Sequence, residues 1–480
     1  MRYRLFMFAA FLGVWTAATR GSADVPALQV AFGECDITPA LHLDNPVWLA
    51  GYGPGRQATG VHDPLFARCC VIQSGTQKLA FISVDLIGLQ FPAAQRIRAR
   101  MGDFTFVMIS STHNHEGPDV IGVWGKSFLH YGVDKDYVDL LIERISRLVR
   151  ETEQQTHPAV AAYGTAVDES LLHDGRKPYV KDGVLRALRF MDPTGGRTIG
   201  ILVQWNCHPE ALGAENTLIT ADFPATTVAR LREKWGCPVA YFTGVIGGLM
   251  APPSRQWTGR NGQPLATGEF EFAERYGEAV ADLASRALEK AVEIDLAPFQ
   301  VSSKTILLPV ENQWYRAARA IGVLQRPART WTGDPEIIGP PVTIQSAGGT
   351  TGIETEVAYL RLGELHVACI PGEIYPELVY GKIPDPPEEG VDFPDALCEP
   401  SVTDILPGDK WLLFGMANDE VGYIMPKRQW DLMAPFAYQR ETGQYGEINS
   451  CGPQSGPIIM RAFAHRVQEA GNTTPVATGP

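Results

Sequence analysis

The chain has 480 residues, 45% hydrophobic and 20% charged, an ordinary globular balance that excludes a disordered or fibrous protein. Its formal net charge of −13 argues against nucleic acid or an anionic membrane as the main partner, and leaves neutral small molecules and lipids open as substrates. The length suits one large domain or two fused ones, with ample material for a core.

The first element is the N-terminal "MRYRLFMFAAFLGVWTAATRGSADVPA". Arg2 and Arg4 give a basic start, Leu5 to Ala18 an apolar run, and Gly21-Ser22-Ala23 a small-residue cleavage site. This pattern predicts a secretory signal peptide over 1–23, too short and wrongly flanked for a membrane anchor. No later run is apolar and uncharged for long enough to span a bilayer. The expectation is an exported protein, secreted or periplasmic, with a folded region over 24–470 and a frayed tail over 471–480.

Strand-like apolar runs follow in order: "LQVAFGECDI", "RCCVIQ", "KLAFISVDLIGL", "FTFVMISS", "RALRFM", "IGILVQWNC", "PVAYFTG" and "ELHVACIPG". Several are continuously apolar, which suits strands covered on both faces. Helical patterns lie between some of them, "DKDYVDLLIERISRLVRETEQQ" and "GEFEFAERYGEAVADLASRALEKAVE". In the second, Phe272, Tyr276, Ala279, Val280, Leu283 and Leu288 fall largely on one face. The expected architecture is α/β: a mixed sheet core with flanking helices and long C-terminal loops. The loops are "QRPARTWTGDPEIIGPP" and "KIPDPPEEGVDFPDALCEP", whose length suggests function.

The cysteines are Cys35, Cys69, Cys70, Cys207, Cys237, Cys369, Cys398 and Cys451, with no CxxC or zinc-finger spacing. Cys398 with Cys451, both in loop-like C-terminal text, is the disulfide to expect first. Cys207 and Cys369 sit in apolar strand text and are expected as buried free thiols.

Chemistry concentrates in "ISSTHNHEGPDV", where His113 and His115 follow an apolar strand and precede a turn. Alone, such a pair is a weak signal and more often marks core or surface imidazoles. Its position is more telling, because catalytic and metal groups collect where α/β strands end. A second strand, "GILVQWNCHPEA", ends in His208, and a third, "ELHVACIPGEIYPE", ends in Glu373. Glu373 could equally cap a turn or helix. Two histidines and a glutamate with an open position match a catalytic zinc site, where the ion lowers the pKa of water and polarises a carbonyl. The expected cofactor is Zn2+, although such nitrogen and oxygen ligands accept other divalent ions.

Taken together, the segments "DITPALHLDNPVWLAGYG", "GVHDPLFARCCVI", "SVDLIGL", "STHNHEGPD", "NCHPEALGAENTLITADFPA", "PGEIYPEL", "GMANDEVGYIMP" and "QYGEINSCGP" resemble the catalytic domain of the neutral (non-lysosomal) ceramidase family. These are zinc amidases that cleave the amide of N-acyl sphingosine. The segments occur in family order and cover nearly all of the chain after the signal peptide. The resemblance implies zinc ligands at His113, His208, Glu373 and Tyr423, the last in "ANDEVGY". It implies a catalytic or substrate-contacting His115 beside the ion, a second active-site tyrosine at Tyr445, and a substrate-contacting arginine at Arg176 in "HDGRKP".

Two departures from the family pattern stand out. The family's G-D-V-S-P segment carries a serine, whereas here "GGLMAP" puts Ala251 at that position and Leu249 at the aspartate position. Ala251 has no nucleophilic atom, and Ser254 is three residues away. The family also carries a C-terminal immunoglobulin-like domain, and this sequence ends shortly after the catalytic text. The expectation is therefore an exported zinc hydrolase of ceramidase type, cleaving an amide through zinc-activated water. The alternatives are an esterase, lactonase or deacylase acting on another lipid or glycan derivative, a zinc-retaining binding protein without turnover, and a metal-free structural protein.

Overall fold

The computed structural model describes residues 27–472, apart from 43, 255–256 and 344–349. The predicted signal peptide lies outside the described residues. Among the described residues the chain forms three large mixed sheets, each with helices on its outer face, and four two-stranded ones.

The first sheet contains β1 (Leu28–Asp36), β2 (Phe66–Ser74), β3 (Gln77–Val84), β4 (Phe106–Ser111) and β5 (His157–Pro158), in the order β4-β3-β2-β1-β5. All its pairs are antiparallel except β3 with β4, which are parallel and joined through helix α1 (Phe91–Arg98). Helix α2 (Lys135–Glu153) starts at Asp134, whose carboxylate accepts from the amides of Asp136 and Tyr137, and it packs on the same face as α1.

The second sheet contains β6 (Val160–Val167), β7 (Val184–Met191), β8 (Thr198–Trp205), β9 (Val239–Thr243) and β10 (Val292–Ile294), in the order β9-β8-β7-β6-β10. Here β8 and β9 are the parallel pair, connected through α3 (Phe223–Trp235). Helix α4 (Phe270–Glu289) buries Phe272, Tyr276, Val280, Leu283 and Leu288, the face expected from their spacing. The helical pattern ran on to residue 293, but the chain turns at Lys290 and enters β10.

The third sheet contains β11 (Phe299–Val310), β12 (Ala328–Thr330), β13 (Pro341–Val342), β14 (Thr351–Leu362) and β15 (Leu365–Cys369), with helix α5 (Gln313–Ala320) between β11 and β12. The chain then forms the short β16 (Glu373–Ile374) and passes through α6 (Pro376–Tyr380) and α7 (Val402–Ile405). It returns as β17 (Trp411–Phe414), parallel to β15, and lays β18 (Tyr423–Ile424) parallel to β16. Helix α8 (Ser455–Asn472) covers the sheet and extends two residues past the predicted start of the tail.

The continuous apolar runs now have a cause. In the first sheet Cys70, Ile72, Leu79, Phe81 and Met108 face a core shared by all three sheets, while the alternating Cys69, Val71, Ala80, Ile82 and Ile109 face α1 and α2. One phenylalanine per sheet meets in the shared core: Phe414 lies 5.8 Å from Phe81 and 4.7 Å from Phe242 between ring centroids.

The edges of the sheets are locked to one another. Ser110 Oγ donates to the Gly415 carbonyl (2.8 Å), the Gly415 amide donates to the Thr243 carbonyl (3.0 Å), and Thr243 Oγ1 donates to the Thr112 carbonyl (2.7 Å). A Cβ on Gly415 would lie 2.5 Å from the Gly244 carbonyl oxygen, so only glycine allows this approach.

The structure corrects one expectation directly. Cys398 and Cys451 form no disulfide: Cys398 is exposed, whereas Cys451 is buried and donates its thiol to the Val421 carbonyl. Cys207 and Cys369 are buried free thiols, as expected.

Phe414→Ala should destabilise the protein by about 3–5 kcal/mol, because it empties the point where the three sheets meet. Urea denaturation measures this, and a loss below about 1 kcal/mol would show that the sheets do not depend on a shared core.

Candidate metal centre

Each sheet sends a chemically competent residue just past the carboxyl end of one strand in its parallel pair. His113 follows β4, His208 follows β8 and Glu373 follows β15. All three are buried.

His113 has φ +65°, an uncommon left-handed conformation for a non-glycine residue that turns its ring into the site. Its Nδ1 lies 2.8 Å from the Ile87 carbonyl, and His208 Nδ1 lies 2.9 Å from the Met250 carbonyl. A carbonyl can only accept, so both Nδ1 atoms carry hydrogen and both Nε2 atoms present lone pairs to the site. Those lone pairs meet the same oxygen: Glu373 Oε2 is 2.9 Å from His208 Nε2 and 3.5 Å from His113 Nε2.

Such a convergence of electron-rich atoms, away from water, is unfavourable unless a positive charge sits among them. Burial opposes a charge on His208, but the nearby Glu373 and Glu210 carboxylates and the Met250 carbonyl together outweigh it and raise the pKa, so the site favours a positive charge at this ring. Burial pushes His113 down to about 4, so its ring stays neutral and its Nε2 remains an acceptor. Burial would raise Glu373, but the facing imidazoles and the Tyr423 hydroxyl hold its carboxyl below the usual range. Ligands about 2.1 Å from one tetrahedral zinc lie about 3.4 Å apart, close to the spacing here. The donor set fits a divalent ion.

His115 completes the cluster. Its ring centroid is 5.0 Å from that of His113 and 5.7 Å from that of His208, and one donor nitrogen from each of the three rings lies within 4.8 Å of the others. This buried histidine group could itself hold a metal. Neither ring nitrogen of His115 has a hydrogen-bond partner among the described residues.

The walls were only partly foreseen. Tyr423 is paired with Glu373 across β16 and β18, and its buried ring lies 6.1 Å from that of Tyr445. Tyr445 is 47% exposed, which puts it at the lip of the site. Arg176 is 2% exposed: Nη1 and Nη2 grip Glu447 at 2.9 and 2.7 Å and donate to the carbonyls of Tyr445 and Gln429. It therefore meets the site by anchoring the loop that carries Tyr445. Ala251 lies beside Met250, which bonds to His208, so the segment expected to lack a nucleophile does border the site. Ser254 is exposed.

Sequence reasoning did not single out Gly51, Tyr52, Arg56, Glu116, Glu210 or Glu420. Arg56 pairs with buried Glu116 (2.5 Å) and donates to the carbonyls of Ala50 and His115, fixing the His115 backbone. Gly51 has φ +101°, and a Cβ there would lie 2.5 Å from His115 Cγ. Glu420 has an unpartnered buried oxygen 3.9 Å from His113 Nδ1, and burial reinforced by the Glu373 charge pushes its pKa well up. Glu116 and Glu210 sit in text already quoted for its histidines, and were findable as acids near them.

No model of a known protein family matches the chain, and no curated protein matches it. Its structure is similar to a neutral ceramidase from Pseudomonas aeruginosa, with a TM-score of 0.69 and 16% identity over 95% of this chain and 76% of that one. It is also similar to a ceramidase complexed with C2, with a TM-score of 0.67 and 16% identity over 95% of this chain and 77% of that one. The chain has the neutral ceramidase fold. The mixed sheets and flanking helices expected from the sequence are those of this fold.

His113→Ala and His208→Ala should each abolish binding of one tightly held divalent ion, whereas His115→Ala should retain it. Elemental analysis of the purified variants checks this. A full complement of metal in either of the first two would remove that residue from the ligand set, and loss of metal from His115→Ala would make His115 a ligand.

Proposed function

We propose that the protein is an exported zinc-dependent hydrolase of ceramidase type that cleaves an N-acyl amide. The carrying observation is the convergence of His113 Nε2, His208 Nε2 and Glu373 Oε2 within a fold shared with neutral ceramidases. These three residues, with Tyr423, would hold the ion. When bound there, zinc supplies a Lewis acid that polarises the scissile carbonyl and lowers the pKa of water.

The protein's own groups divide the remaining work. His115 stands beside the ligands with both ring nitrogens unpartnered, so it is free to take a proton from water and pass it to the leaving amine. Tyr445, at the lip, contacts the substrate and orients its carbonyl. Arg176 keeps that loop in place through Glu447 and the Tyr445 carbonyl. Ala251 offers no side-chain nucleophile, so the oxygen joined to the acyl carbon comes from water. The amide C–N bond breaks, and the products are a carboxylate and an amine. The signal peptide over 1–23 would deliver the enzyme to the periplasm or the medium.

A panel of N-acyl amides, including N-acyl sphingosine, together with esters and lactones tests this reading. The expected result is metal-dependent amide hydrolysis, lowered about 10²–10⁴-fold in His115→Ala. Mass spectrometry of enzyme quenched during turnover should show no acylated side chain, since covalent chemistry leaves such an adduct. An adduct on Ser254 or elsewhere would overturn the water mechanism. Full metal with no hydrolysis of any panel member would favour a binding protein.

A further inference from the structure

We propose that Glu210 is a positioning residue for His115, holding the ring with Nδ1–H toward its own carboxylate and Nε2 toward the reacting atoms. The catalytic consequence rests on the hydrolase reading; the positioning itself does not.

Three hydrogen bonds and one ring contact bring the two residues together. The His115 amide donates to the Pro209 carbonyl (3.2 Å), tying the turn after β4 to the turn after β8. The Glu210 amide donates to the His208 carbonyl (3.0 Å), and the Glu210 carbonyl accepts from the Tyr52 hydroxyl (3.3 Å). Tyr52 in turn sets its ring edge-on to His115, with centroids 5.0 Å apart and planes 78° apart. The Glu210 backbone is thus pinned from both sides, with its side chain beside the imidazole.

In that arrangement Glu210 Oε2 lies 3.7 Å from His115 Nδ1. This exceeds a hydrogen bond by less than about 1 Å, a common gap at a catalytic pair before substrate closes the site. Both ring nitrogens of His115 are unpartnered, and among the described residues the Glu210 carboxylate accepts no hydrogen bond from a protein donor, although the His208 imidazole also acts on its charge. The nearby cation, Arg56, is bound to Glu116.

The tautomer follows from charge. With hydrogen on Nδ1, the positive end of the N–H faces a carboxylate; with hydrogen on Nε2, a lone pair faces it instead. A carboxylate that orients a histidine in this way is the third member of an acid–base triad, and its loss allows the wrong tautomer. Gly51 leaves the ring the space it needs, because a Cβ there would lie 2.8 Å from His115 Nδ1.

The test is nitrogen NMR of metal-replete protein labelled with 15N-histidine, with the His115 signals identified by their loss in His115→Gln. The expected wild-type pattern is a protonated Nδ1 and a free Nε2. Glu210→Ala and the isosteric Glu210→Gln should mix or reverse the tautomers while keeping the metal. Turnover should fall about 10²-fold or more through kcat, with little change in KM, and Glu210→Asp should recover part of it. A wild-type Nε2–H tautomer, unchanged spectra in both variants, or loss of metal from Glu210→Gln would each overturn the proposal. A tautomer that depends on Glu210 in a protein that hydrolyses nothing would uphold the positioning and defeat the hydrolase reading. If Glu210→Ala does not fold, Glu210→Gln carries the test alone.

Discussion

Three hydrogen bonds, from Ser110 to Gly415, from Gly415 to Thr243 and from Thr243 to Thr112, close a ring through the edges of the three sheets. They are short and shielded from water, so breaking any one leaves a buried polar group unsatisfied. His113 directly follows Thr112 in this ring, His208 follows the strand beside Thr243, and the Gly415 strand runs parallel to the one that ends before Glu373. The convergence of two imidazoles on one carboxylate oxygen is therefore a consequence of sheet docking. No single loop could hold such an arrangement with the same rigidity.

The electrostatic logic is equally economical. Backbone carbonyls at Ile87 and Met250 fix the tautomers of His113 and His208, and that choice leaves both lone pairs pointing at Glu373. A buried group of three acceptors is a poor structural motif and a good cation site. The surrounding charges are already spent: Arg56 on Glu116, Arg176 on Glu447 and Arg326 on Asp419. Each of these three arginines is committed to its own carboxylate, which leaves neutralisation of the centre to an ion.

Much of this was legible in the sequence, and for physical reasons. Strands buried on both faces read as unbroken apolar runs, and the chemistry stood at their ends, where His113, His208 and Glu373 interrupt them. The two longest strands, Phe299–Val310 and Thr351–Leu362, went unread because Ser302, Ser303, Lys304, Glu354 and Glu356 break up their apolar text. Several of their polar side chains find partners on distant segments instead; Glu356 accepts from Nη1 and Nη2 of Arg98 at 2.6 and 2.8 Å. The expected Cys398–Cys451 disulfide failed because loop-like text says nothing about whether two loops meet. The family resemblance implies a substrate contact for Arg176, and only the fold reveals its burial against Glu447. The supporting groups around His115 come from distant segments, which no local pattern could join.

Similarity to the ceramidase structures extends over 95% of the chain at 16% identity, and it is a likeness of fold. The centre of this chain has a geometry suited to one cation, and the account depends on that cation being where the geometry places it. Anomalous X-ray scattering from crystals of the purified protein tests this most directly. The account predicts a single strong peak, at the zinc absorption edge, bounded by His113 Nε2, His208 Nε2 and Glu373 Oε2. A peak elsewhere, or none in crystals grown with zinc, would contradict it.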